Sequence, residues 1–164
     1  MAPVRSAGIL LFRRGAASSP EALQVWIAHM GGPFWARKDD GAWSLPKGIV
    51  DADDLGDELA AARREFTEEI GSPPPADAHF ELLGEFKQSS GKTIVVFAAE
   101  TEFAPESIVS NAFPLEWPPR SGKVQEFPEV DDARWVDLDE ARLKLAKGQR
   151  PILDALLALL ARSS

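Results

Sequence analysis

The sequence predicts an α+β domain, an α/β/α sandwich with helices on both faces of a mixed sheet. Three observations carry that prediction. Strand-like apolar runs come first, one strongly periodic helix interrupts them, and apolar helices close the chain after further strands. At 164 residues, with no internal repeat and no low-complexity linker, the chain reads as one domain, 1–164.

AGILLF (7–12) and ALQVWIAH (22–29) read as buried strands joined by the turn-like RGAASSP. Residues 30–45 hold glycine, proline and aromatics without periodicity, the mark of a functional or ordered surface loop. From about Asp54 to Ile70 the pattern is helical, with Leu55, Leu59, Ala62, Phe66 and Ile70 on one face. Gly71 fits a C-cap, and SPPP stops the helix. FELLGEFKQ and KTIVVFAAET read as strands around an SSG turn. Residues 103–130 look irregular, rich in proline, tryptophan and acids. ARWVDL is a short strand, LDEARLKLAKG a helix ending in glycine, and PILDALLALLA a helix with proline in its first turn. The last helix is apolar on most sides, which fits core packing or, as the alternative, a homodimer contact.

Composition narrows the chemistry. A net charge of -8 argues against a nucleic-acid polymer as partner, because that surface must be basic. It leaves room for a small phosphorylated ligand if divalent cations lie between the two. With no cysteine and only His29 and His79, thiolate and multi-histidine metal sites are excluded, and a reducing cytoplasm is the simplest home. The N-terminal apolar run is too short for a signal peptide, and no stretch reaches the roughly 18 apolar residues of a membrane span. His29, ending a strand of apolar residues, reads as a satisfied structural histidine.

The segment PKGIVDADDLGDELAAARREFTEEIGS (46–72) carries the site. Glu65, Glu68 and Glu69 are spaced i, i+3, i+4, so all three project from one side of the helix. They repel one another and oppose the dipole at a helix C-terminus, where lysine or arginine would be stabilising. A solvated acidic face, partly offset by Arg63 and Arg64, is one reading. An oxygen-rich seat for a hard cation, Mg²⁺ or Mn²⁺, is the other.

The surroundings favour the second reading. Arg64-Glu65-Phe66-Thr67-Glu68-Glu69-Ile70-Gly71, led in by Pro46-Lys47-Gly48, resembles the Nudix box, with Ser72 in place of its last apolar residue. Element order over most of the chain is also similar to that family, whose mixed sheet packs against the carboxylate helix and C-terminal helices. One departure is plain: the family's first box glutamate falls on Gly56, and the loop after Gly48 is two residues longer. Glu58 is the first candidate for the substitute, since it lies within about 20° of the Glu65 stripe on a helical wheel. Asp53 and Asp54 are alternatives that also fit a helix N-cap.

The resemblance implies hydrolysis of a pyrophosphate linkage with Mg²⁺ or Mn²⁺ and water. It implies Glu68 and Glu69 as cation ligands, Glu65 as ligand or water-activating base, and Arg64 as the residue that orients these glutamates. The Lys47 carbonyl stands where the family often supplies a further ligand, while its side chain could reach phosphate. Counting back from Trp135, the family's later glutamate falls on Glu129, with Glu126 in reserve. A non-catalytic nucleotide-binding module, a sensor, is the alternative that Gly56 raises.

Substrate signatures are thin. Phe86 and Lys87 occupy the place of the ADP-ribose group's proline, and the chain has no tyrosine for the bacterial diadenosine polyphosphate signature. GGPFWARKDDGAWSLPKG and SNAFPLEWPPRSGKVQEFPEVD are similar to a bacterial subgroup known as predicted NTP pyrophosphohydrolases. The expected partner is therefore a nucleotide or polyphosphate. Trp43 and Trp117 are candidates to stack on a base, and Arg37, Lys47 and Arg120 to meet phosphate.

Overall fold

A computed structural model describes residues 4–14, 23–51, 54 and 56–163. Most of the predicted RGAASSP turn, together with Asp53 and Leu55, lies outside the described residues. The strands are β1 (Arg5–Arg14), β2 (Leu23–Met30), β3 (Trp43–Ser44), β4 (Lys47–Ile49), β5 (Glu81–Lys87), β6 (Thr93–Glu100), β7 (Ala112–Glu116), β8 (Val124–Pro128) and β9 (Val130–Asp137). The helices are α1 (Glu58–Ile70), α2 (Leu138–Lys144) and α3 (Arg150–Ser163), with a 3₁₀ turn at Lys147–Gln149.

Strict alternation in the central strands builds two cores. Leu10 and Phe12 of β1, Val25 and Ile27 of β2, and Ile94, Val96 and Ala98 of β6 face α2 and α3, meeting Ala141, Ile152, Leu153 and Leu156. Ala7, Ile9 and Leu11 of β1, with Trp26 and Ala28 of β2, face α1 and meet Ala61, Ala62, Phe66 and Ile70. The sheet runs β3-β2-β1-β6-β5, with β4 also on β1 and β9 also on β2. β1 pairs parallel with β6 and antiparallel with its other partners, so the sheet is mixed and sandwiched between helices. Core packing accounts for the buried side of α3: Ile152, Leu153 and Leu156 are fully buried.

Several expectations need correction. The irregular reading of 103–130 fails at β7 and β8, which form a separate two-stranded hairpin. Pro114 and Pro128 sit within it, which is tolerable because each strand of a two-stranded ribbon keeps an edge free of ladder bonds. β3 and β4 are too short to show a period. The helix predicted over 138–148 ends at Lys144, and Lys147–Gln149 turns separately.

Helix α1 begins four residues later than the apolar pattern implies. Its cap is neither Asp53 nor Asp54 but Asp57, whose side chain accepts from the Ala60 N–H at 2.9 Å. Gly56 takes φ of +86° just before the cap, a left-handed value that glycine adopts without a Cβ penalty. At the far end Gly71 turns left-handed and donates its N–H to the Thr67 carbonyl. Replacing Asp57 by alanine should lower unfolding free energy by about 1 kcal/mol in urea denaturation while leaving cation binding intact.

Candidate active site

Strand β4 and the last two turns of α1 lie against each other, and a backbone group joins them. The Lys47 N–H donates to Glu69 Oε2 at 3.2 Å. Next along β4, Gly48 is bare because Glu65 lies over it. A Cβ there would stand 1.8 Å from Glu65 Oε2 and 2.1 Å from its carboxyl carbon. The glycine is required by this close approach and not by its backbone angles.

Arg64 organises the acids. Its Nη1 donates to Glu65 Oε1 at 2.9 Å and lies 3.7 Å from Glu68 Oε1. Its Nη2 donates to Asp54 Oδ2 at 2.6 Å and reaches the Ile49 carbonyl at 3.4 Å and Asp51 Oδ2 at 3.5 Å. Asp54 Oδ2 also accepts from the Asp51 N–H, so Asp51 and Asp54 both turn toward the arginine. That backbone bond and then Arg64 outweigh desolvation and hold the Asp54 carboxyl below its ordinary range. Glu58 goes elsewhere: Arg5 Nε and Nη2 grip its two oxygens at 2.8 and 3.1 Å. Of the described acids considered for the displaced glutamate, Asp54 meets Arg64, while Glu58 is held in a long-range pair with Arg5.

The remaining parts come from two distant segments. Segment 109–111 satisfies the open end of α1, where the last turn has no basic residue: Val109 N–H donates to Ile70 and Asn111 N–H to Glu68 carbonyls. Glu129 follows the β7–β8 hairpin, with its N–H on the Asn111 carbonyl and its own carbonyl accepting from Gly31. Its charge reaches Glu69. Glu126 sits within β8, exposed, opposite Pro114.

Burial first, then the charges of Glu129 and Glu65, raise Glu69 from an ordinary 4.5 to about 7, against the pull of Lys47. Glu65 is raised too, by burial and by Glu68. Among the described residues no three such side chains already stand close enough to hold an ion between them. The donor chemistry nonetheless fits a hard cation: an all-carboxylate set, partly desolvated and mutually repelling, is what a divalent ion would relieve.

The predicted substrate residues separate. Trp43 is 2% exposed, donates Nε1–H to Asp39 Oδ1 and belongs to the core, so it cannot stack on a base. Trp117 is half-buried at the start of the hairpin turn, edge-on to the exposed Phe34 at 5.5 Å. Arg37 and Arg120 are exposed and form no ion pair among the described residues. Lys47 is half-buried beside Glu69. The role of Asp54 was visible in the sequence only as one acid among several; its signal is the two-residue excess of the loop.

The family model for the NUDIX domain matches residues 2–156 of the chain. No curated protein sequence matches it. Among solved structures, the Ap4A hydrolase of C. elegans in a binary complex is 21% identical. The alignment covers 96% of this chain and 98% of that one, with a TM-score of 0.63. The NUDIX domain of Shewanella oneidensis NrtR, complexed with ADP ribose, is 18% identical over 97% and 90%, with a TM-score of 0.62. A mutT/nudix family protein from Listeria innocua is 16% identical over 99% and 98%, with a TM-score of 0.59. At these identities the structures speak for the fold.

The raised Glu69 carboxyl has a thermodynamic sign. A folded-state value above the unfolded one stabilises the protein below about 4.5, and that contribution is lost as pH rises through about 7. The metal-free protein should therefore lose up to about 3 kcal/mol over this range, read as falling Tm. Glu69→Gln should flatten that slope.

Proposed function

The chain belongs to the Nudix family, and from that premise we propose that it hydrolyses a pyrophosphate linkage with the help of a divalent cation, Mg²⁺ or Mn²⁺. The substrate class is a nucleoside polyphosphate, a dinucleoside polyphosphate or a related nucleoside diphosphate derivative. The observation that carries this is the packing of Glu69 and Glu65 against Lys47 and Gly48 of β4, with the charge of Glu129 reaching Glu69 and burial helping to raise Glu69 to about 7.

Glu65, Glu68, Glu69, Glu129 and the Lys47 carbonyl are the proposed cation ligands. A divalent cation bound there supplies positive charge against the oxygens of a pyrophosphate that the carboxylates would otherwise repel. Arg64 keeps Glu65 Oε1 occupied, which leaves Oε2, the oxygen over Gly48, either to face the cation or, as the base, to take a proton from the attacking water. The Lys47 side chain, Arg37 and Arg120 are the proposed phosphate contacts, and Trp117 the proposed contact with a base. A reducing cytoplasm remains the proposed compartment. The sensor reading draws on Gly56 and on the ADP ribose bound by the NUDIX domain of NrtR; against it, Asp54, which accepts from Arg64, is the proposed substitute for the box glutamate displaced by Gly56.

A panel of NTPs, damaged NTPs, dinucleoside polyphosphates, sugar nucleotides and diphosphoinositol phosphates, each with Mg²⁺ and Mn²⁺, tests the proposal. Phosphate or pyrophosphate release should stop with EDTA and with Glu69→Gln. Full activity under either condition refutes the assignment, and cation-dependent binding without turnover selects the sensor. Gly48→Ala, which pushes Glu65 off its seat, should lower kcat about a hundredfold while the fold survives by circular dichroism.

A further inference from the structure

His29, next to last in β2, takes no part in the chemistry above, yet it touches both segments that flank the site. It is 8% exposed. Its Nδ1 lies 2.6 Å from Asp131 Oδ1 and its Nε2 lies 2.8 Å from the Lys38 carbonyl oxygen. A carbonyl only accepts, and so does an ionised carboxylate. Filling both contacts takes one proton more than a neutral imidazole and an ionised carboxylate hold together.

Backbone geometry aims the parts. His29 pairs with Asp132 and Met30 with Val130, so the ladder skips Asp131, a bulge that turns the extra residue toward the imidazole. Asp131 follows Glu129 by two residues, and Lys38 lies in the 31–42 loop with Phe34 and Arg37. The two segments already meet where Gly31 N–H donates to the Glu129 carbonyl at 2.8 Å. The histidine adds a second tie, deeper in the loop. Other nearby charges are engaged among themselves. Trp43 packs edge-on to the imidazole at 5.1 Å, and Arg134 and Lys144 lie over the indole at 4.9 and 5.6 Å. Asp132 holds Arg134, while Asp39 and Glu140 face Lys144.

We infer that His29 is a positioning residue: its two ring nitrogens clip the 31–42 loop, through Lys38, to the Glu129 segment, through Asp131. This rests on the proposed assignment of Glu129 to the cation and of Arg37 to the substrate. Without the imidazole the loop keeps its end ties, such as Met30 N–H to the Ala42 carbonyl, and loses this bridge within it.

In His29→Phe and in the surface variant Asp131→Asn the indole signals of Trp35 and Trp43 should move relative to wild type. Mn²⁺ affinity and kcat/KM should fall roughly tenfold in both, and His29→Gln, which keeps a donor for the Lys38 carbonyl, should recover part of the loss. Variants that leave the indoles or Mn²⁺ affinity unchanged overturn the inference. So do variants that melt earlier but keep the wild-type affinity. If Mn²⁺ binding follows His29 while no substrate is hydrolysed, the clip stands and the enzymatic reading falls. If hydrolysis proceeds with Mn²⁺ affinity indifferent to His29, the clip alone falls.

Discussion

The site depends on Arg64. Three glutamates on one face of a helix C-terminus repel one another and the helix dipole, and a cation among them is the simplest remedy the chain itself can supply. Arg64 gives that remedy from inside the same helix, with one guanidinium nitrogen toward Glu65 and Glu68 and the other toward Asp54 and the Ile49 carbonyl. The planar fork matters here. A lysine would present a point charge and could not serve two directions with fixed geometry. With Arg64 set, Ile49, Asp51 and Asp54 have a common partner, Glu65 has an orientation, and Gly48 must stay bare beneath it.

Glu69 is handled differently. Arg64 does not hold it, and it sits deep enough for burial to be the leading cause of its raised pKa. One backbone N–H from Lys47 donates to it, too little to offset burial and two neighbouring acids. Arg64 pulls against the rise of Glu65, whereas only Lys47 pulls against that of Glu69. Both acids would gain from an arriving cation, because cation binding would lower the value at which each holds its proton.

The carboxylate cluster was legible because helical spacing is local information: i, i+3 and i+4 put Glu65, Glu68 and Glu69 on one face wherever the helix begins. The contact of Asp54 with Arg64 was not, for two physical reasons. The wheel assumed a helix from Asp54, but the left-handed Gly56 and the Asp57 cap start it at Glu58, so Asp54 belongs to a turn outside the wheel. Glu58 is claimed by Arg5, a partner 53 residues away that no local pattern reveals. The central strands were likewise visible as apolar runs, while β3, β4 and the β7–β8 hairpin were too short, too exposed or too rich in proline to show a period. Trp43 misled for a related reason: a tryptophan in a glycine-rich loop looks available until the strand beneath it closes.

The segments that carry the acids are joined through backbone groups: Lys47 N–H to Glu69, Asn111 N–H to the Glu68 carbonyl, and Gly31 N–H to the Glu129 carbonyl. Backbone contacts survive most side-chain changes. The 31–42 loop and the hairpin can therefore change Phe34, Arg37, Trp117 or Arg120 with little disturbance to the carboxylates. That separation explains why the chemistry is easier to read than the substrate. The box must satisfy electrostatics that any pyrophosphate imposes, and few arrangements do so. The outer surface answers to one molecule's shape, and its residues carry no periodicity or charge pattern that the fold itself demands.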